Sequence, residues 1–311
     1  MKIRILMIAA SLVILTRPFF SFAADTCGKK GQEVWDCPSS GPLIAWDAPL
    51  AAKNEVQVQP YFFYNRTRGV FDEEGSYKSY KNKERKWQWQ EALFLQYGLT
   101  ERLEISVWGE AQQNIRHAEG YSAESSDFAD TYMWLRCCFL DQTRYLPQTT
   151  AIFQFKFPTG KYRNPDDGKL GTDLTGSMTD PGAYDQGYGI VLTKCIKPLK
   201  IHADFLYNTP NLTKIDGVKV RYGNYANFDF AVEWILPKGF NLLWEMNFIA
   251  QGDRKDDGVK VPASDLFSMV VCPGIGWAND RVEALLAYQR TLAGVNVDVN
   301  DSIVFTFVLK F

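Results

Sequence analysis

From Glu55 to the carboxy terminus, apolar and polar side chains alternate with a period of two. Neighbouring side chains of an extended strand face opposite ways, so such a stretch shows one apolar face and one mixed face. The closing stretch is the plainest case. Phe305, Phe307, Leu309 and Phe311 share one parity; Thr306 and Lys310 fall on the other with Val304 and Val308. The same alternation predicts strands over 55–65, 87–99, 103–111, 128–140, 149–157, 188–196, 199–208, 225–236, 240–250, 265–277, 282–290 and 301–311. Each is close to the length that crosses a bilayer at a tilt.

The connections between these strands are sorted. Odd-numbered ones are long and polar, and even-numbered ones are short, as at 100–102, 197–198 and 237–239. An up-and-down barrel with both termini on the periplasmic side needs this asymmetry, whereas a soluble sandwich has no reason for it. Lipid offers no hydrogen bonds, so strands can span it only in a closed barrel. The expected fold is therefore all-β: a transmembrane up-and-down antiparallel β-barrel of about 12 strands, with long extracellular loops and short periplasmic turns. Tyr97, Tyr207, Trp234, Trp277 and Tyr288, near strand ends, suit interfacial girdles. Glu91 breaks the pattern by sharing parity with Trp87, Trp89, Leu93 and Leu95, which puts it at the outer rim or in a bulge.

The N-terminus is built differently. Lys2 and Arg4 precede an apolar run over 5–15, and Ser21-Phe22-Ala23 offers small residues before Ala24. These are the parts of a cleaved secretory signal peptide over 1–23. No lipobox precedes Cys27. A segment over 24–54, rich in Gly, Pro, Ser and Lys, follows as a periplasmic extension or a piece tucked into the barrel mouth, and the barrel takes 55–311. Without Lys2, Arg4 and Arg17 the formal charge of −2 becomes −5, and nothing in that balance points to nucleic acid.

Export changes how the six cysteines are read. Cys27 and Cys37 are candidates for a disulfide in an oxidising compartment. Cys137, Cys138, Cys195 and Cys272 fall inside expected strands and read as small apolar fillers. No spacing fits a metal site, so neither metal nor cofactor is expected.

Parity also nominates the lumen. Its acidic members are Glu104, Glu110, Asp130, Asp204, Asp229, Glu233, Glu245 and Glu283, and its basic members are Arg136, Lys156 and Lys310, with His202 beside them. Trp108, Tyr132 and Trp134 point inward too and could stack on aromatic or sugar ligands. Carboxylates outnumber cations, which would enrich cations in a narrow pore. The competing reading is that these charges pair across strands and fill a small barrel. The Gly- and Asp-rich loop over 158–187 is a candidate constriction.

Several stretches resemble the outer-membrane transporter family of the MetA pathway of phenol degradation. They are Phe128-Ala129-Asp130-Thr131-Tyr132, Phe155-Lys156-Phe157-Pro158-Thr159-Gly160 and Gly168-Lys169-Leu170-Gly171-Thr172-Asp173. Ile201-His202-Ala203-Asp204-Phe205-Leu206-Tyr207 and Val271-Cys272-Pro273-Gly274-Ile275-Gly276-Trp277 fit as well. The resemblance implies a barrel that passes small molecules, aromatic ones among them. The ending on Phe311 is similar to the closing strand of Gram-negative outer-membrane barrels, where a terminal Phe serves as the assembly signal.

The expected function is an outer-membrane channel for small solutes, in the bacterial outer membrane, working through a polar and mildly acidic lumen. The alternative is a plugged structural or adhesive barrel that binds partners through its extracellular loops. An enzyme is not expected: the two histidines, His117 and His202, have no serine in a Gly-x-Ser-x-Gly context. Expected partners are outer-membrane lipid and lipopolysaccharide, the barrel-assembly machinery through the last strand, and the solute itself.

Overall fold

The computed structural model describes residues 39–80, 84–118, 121–160, 182–215 and 217–311. The expected signal peptide, the Cys27–Cys37 pair and most of the 158–187 loop lie outside the described residues.

Twelve strands form a closed antiparallel barrel. They are β1 (Val56–Phe71), β2 (Arg85–Thr100), β3 (Leu103–Ala118), β4 (Thr131–Leu140), β5 (Gln148–Phe157) and β6 (Asp185–Ile196). The second half comprises β7 (Leu199–Pro210), β8 (Tyr225–Ile235), β9 (Phe240–Gln251), β10 (Leu266–Ala278), β11 (Val282–Val295) and β12 (Val297–Lys310). Each pairs with its chain neighbours, and β12 closes the ring on β1 from Gln57↔Lys310 to Phe71↔Val297. Phe311 extends that seam, its N–H donating to the Val56 carbonyl at 3.0 Å.

The faces follow the sequence parity. Ile303, Phe305, Phe228, Leu242, Trp244 and Ile275 stand outward, with Ile303 as much as 54% exposed. Glu104, Glu233 and Glu245 stand inward with none of their surface exposed. That arrangement inverts a soluble protein, where large apolar groups go inside and carboxylates outside. It suits a barrel whose outer solvent is lipid. Glu91 is on the outer face in unbroken register with Phe62 and Ala111, so no bulge accounts for it.

Strand ends differ from expectation on the extracellular side. β1 continues to Phe71 and β3 to Ala118, where Tyr121–Phe128 pairs back onto it in place of the expected 112–127 loop. The expected loop over 291–300 reduces to a tight turn at Asn296, whose φ is 52°. Beyond the membrane both faces of a hairpin meet water. The ladder can then continue without the apolar contrast that marks a strand in the sequence. Four short strands, Thr213–Ile215, Val218–Arg221, Lys255–Asp256 and Val259–Lys260, make a separate sheet in the loops after β7 and β9.

The 24–54 segment is expected as a periplasmic extension or as a piece tucked into the barrel mouth, and its described part lies inward. Residues 39–51 run inside the barrel. Ala48 is fully buried in a cluster with Tyr61, Phe94, Trp134, Ile152, Val191, Leu206 and Val304, which come from β1, β2, β4, β5, β6, β7 and β12.

Candidate functional site

The inward segment is a loop that enters beside β8–β10, crosses the lumen in its periplasmic half and returns along β6–β2 to start β1. Its entry is fixed by Ser39, whose hydroxyl donates to Glu233 at 3.0 Å, and Ser40, whose hydroxyl donates to Asn241 at 3.1 Å. Gly276 is required there, because a β-carbon would collide with Ser40 and Asn241.

Glu245 then takes three successive backbone donors: Leu43 N–H at 2.6 Å, Ile44 N–H at 2.8 Å and Ala45 N–H at 2.9 Å. A carboxylate met by several backbone N–H groups forms charge-assisted bonds, roughly twice as strong as neutral ones. Asp204 accepts the Trp46 N–H at 2.7 Å. The Trp46 ring crosses to the opposite wall, 5.1 Å from Trp134 and 5.8 Å from Phe94 between centroids, with the Arg136 guanidinium 5.0 Å over it.

Asp47 is the polar centre of the loop. Lys200 Nζ lies 2.7 Å from its carboxylate, and Thr193 donates to it at 2.9 Å. His202 sits between two acids, with Nδ1 3.4 Å from Asp47 and Nε2 2.9 Å from Glu233. Burial alone would raise the Asp47 carboxyl, but Lys200 and His202 outweigh it and hold the group well below the usual carboxylate range. On the return, Thr150 donates to the Ala48 carbonyl at 2.6 Å and Ala51 N–H donates to Glu104 at 2.8 Å. Arg136 donates to Glu104 at 2.9 Å, to the Pro49 carbonyl at 3.1 Å and to the Asp47 carbonyl.

The extracellular half of the lumen is built differently. One wall, from β1–β4, is aromatic: Tyr61 lies 4.9 Å from Trp108, and Tyr132 stacks on Trp134 at 5.6 Å with 9° between planes. The facing wall, from β7–β9, is polar, with Asn208, Asn227, Asp229 and Asn247. Asn247 donates to Asp229 at 2.5 Å. Lys156 is held between Asp185 at 3.2 Å and Asp130 at 3.6 Å. Glu110 accepts from Trp108 Nε1 at 3.2 Å and from Gln112. A cavity of about 930 Å³ joins the halves. Its lining runs from Gln142, Asp280 and Lys310 at the periplasmic turns, past the loop, to Tyr132, Asn227 and Ile249.

The nominated residues stand on the inward face and divide into groups. Glu104, Arg136, His202, Asp204, Glu233 and Glu245 grip the inserted loop. Trp108, Tyr132 and Asp229 line the cavity, while Glu110, Asp130 and Lys156 find their partners within the wall. Glu283 pairs with Lys310 at 2.6 Å near the periplasmic end. Lys200, Thr193, Asn241, Gln154 and Tyr61 also face inward, on the parity that nominates the others. Asp47 and Trp46 carried no such signal. Among the cysteines, Cys137, Cys138 and Cys272 are free, as fillers would be. Cys195 corrects that expectation, because it is disulfide-bonded.

The closed ring, its lipid-suited exterior and its polar interior define an outer-membrane type of β-barrel. The COG4313 outer membrane channel from Pseudomonas putida F1 shares this fold, with a TM-score of 0.69 and 13% identity over 87% of this chain and 100% of that one. That likeness agrees with the resemblance read in the sequence. The NanC porin is looser, with a TM-score of 0.47 and 8% identity over 82% of this chain and 100% of that one. The CymD monoaromatic hydrocarbon channel is looser still, at 0.38 and 7% over 85% and 90%. No protein-family model matches the chain, and no curated protein matches it in sequence.

Proposed function

We propose that this protein is an outer-membrane channel for small amphipathic solutes, aromatic ones among them, held narrow by its own N-terminal segment. The observation that carries this reading is the two-sided upper lumen. An aromatic wall of Tyr61, Trp108, Tyr132 and Trp134 faces a polar wall of Asn227, Asp229 and Asn247 across a cavity of about 930 Å³. Aromatic faces attract flat apolar solutes, and the amides and carboxylates opposite offer partners to hydroxyl or amino groups. The acidic excess of the wall favours cations over anions.

The inserted loop supports the second reading, a barrel blocked by its own chain. It makes hydrogen bonds to β3–β9 rather than resting loosely in the mouth. Single-channel recording separates the two. In a planar bilayer under a salt gradient, the native chain is expected to give small steps, and a variant lacking 39–51 larger ones with a cation-favouring reversal potential. Silence from the native chain with steps from the variant would favour the barrel blocked by its loop, and silence from both proteins, shown to be folded by heat-modifiable electrophoresis, would overturn the channel. Anion preference would overturn the charge argument and keep the channel.

A further inference from the structure

The four-stranded sheet beyond the barrel has a face that its own stability does not explain. Register fixes which side chains share it: Lys214 lies opposite Lys219, Arg221 opposite Lys255, and Lys255 opposite Lys260. Lys219 and Arg221 are two apart on one strand, so both point the same way. Five cations thus fall on one face, and all five are exposed. The other face carries Val218, Val220 and Val259, with Val220 buried.

Like charges directly opposite each other destabilise a sheet. Here three such pairs occur in a row. Of these five cations only Lys260 has an ion-pair partner among the described residues, Asp253 at 2.6 Å. Asp257, in the adjoining turn, spends one carboxylate oxygen on the Lys219 backbone N–H at 3.1 Å. Asp256 is turned to the other face, where Arg254 pairs with it at 2.9 Å. Lys214, Lys219, Arg221 and Lys255 remain without a counter-charge among the described residues.

Position limits the partner. The sheet begins at Thr213, three residues after β7 ends at Pro210, and the exposed Tyr184, Tyr188 and Leu212 stand on the same rim. An extended chain gains roughly 3.3 Å per residue, so the cations sit about a headgroup's depth from the aromatic rim. Cross-strand neighbours lie about 5 Å apart, which lets two side chains share one phosphate group.

We propose that this face binds the phosphate groups of lipopolysaccharide in the outer leaflet, fixing the loops after β7 and β9 to the membrane surface. The inference rests on the outer-membrane reading above. Lysines and an arginine supply the point charges and the forked donor that phosphate takes. Binding then offsets the repulsion built into the sheet.

The test uses the full protein in phosphatidylcholine nanodiscs, titrated with deep-rough lipopolysaccharide before and after phosphatase treatment. The wild type is expected to prefer the phosphorylated form. The triple variant Lys219→Gln, Arg221→Gln, Lys255→Gln is expected to lose roughly a hundredfold in affinity, and Lys219→Arg with Lys255→Arg to keep it. Equal binding of both lipid forms, or undiminished binding by the triple variant, would overturn the proposal. Conductance measured on the same preparations keeps the two questions apart. A silent channel that still selects phosphorylated lipid defeats only the channel reading, and a conducting channel indifferent to phosphate defeats only this one.

Discussion

The two halves of the lumen use similar residues to opposite ends. In the periplasmic half, Glu245, Glu233, Asp204 and Glu104 are occupied by the inserted loop, largely through its backbone N–H groups and hydroxyls. In the extracellular half, Asp130 and Asp185 answer to a wall lysine, and Asp229 answers to a wall amide. Below, the carboxylates hold a piece of chain. Above, they are satisfied by the wall itself. The presence of acid in a pore is thus a poor guide to what the acid does; its hydrogen-bond donors tell more.

The strongest way to break this division is at Arg136, which joins Glu104, the Trp46 ring and two loop carbonyls. Arg136→Ala leaves the fully buried Glu104 with an uncompensated charge. It is expected to cost about 3–5 kcal/mol in barrel stability, read from denaturant unfolding in detergent, and to raise conductance. If neither changes, the loop is not held from this wall.

Glu245→Gln is milder. The amide keeps an acceptor for one or two of the three backbone donors but loses the charge. Its cost should be about 1.5–3 kcal/mol. The effect is expected as more frequent openings without a change in the size of the fully open step. A change in step size instead would mean that Glu245 lines the path rather than latching the loop.

Acid offers a finer test through Asp47. Its carboxyl is held below the free value of 3.8 in the folded protein, so deprotonated Asp47 stabilises the latch. That contribution is complete above 3.8 and is lost as the pH falls towards the lowered folded value. Open probability should therefore hardly vary from neutral pH down to mild acid through this group, then climb in stronger acid. Asp47→Asn should flatten the climb. Release already complete near neutral pH would assign the latch to another group.

The smallest effect expected is in the upper half. Trp108→Ala removes one face of the aromatic wall, and a stacking contact is worth about 0.5–1.5 kcal/mol. Uptake of an aromatic solute into proteoliposomes should fall by a few-fold, while that of an aliphatic solute of equal size stays constant. A uniform fall would make the wall structural.

The sequence by itself determined the barrel, because lipid on one side and water on the other impose a period of two and an inside-out apolar face. It also placed Glu104, Asp130, Arg136, His202, Asp229 and Glu245 inward, since a strand's parity cannot change without exposing the wrong face to lipid. It misjudged 112–127 and 291–300, where water on both faces erases that contrast. Only the tertiary structure decided that residues 39–51 return into the lumen. A loop without periodicity carries no sign of its own address; Asp47 acquires its role from Lys200 and His202, more than 150 residues away. The partner of each lumen carboxylate is likewise a matter of which strands close the ring, and no local pattern encodes that.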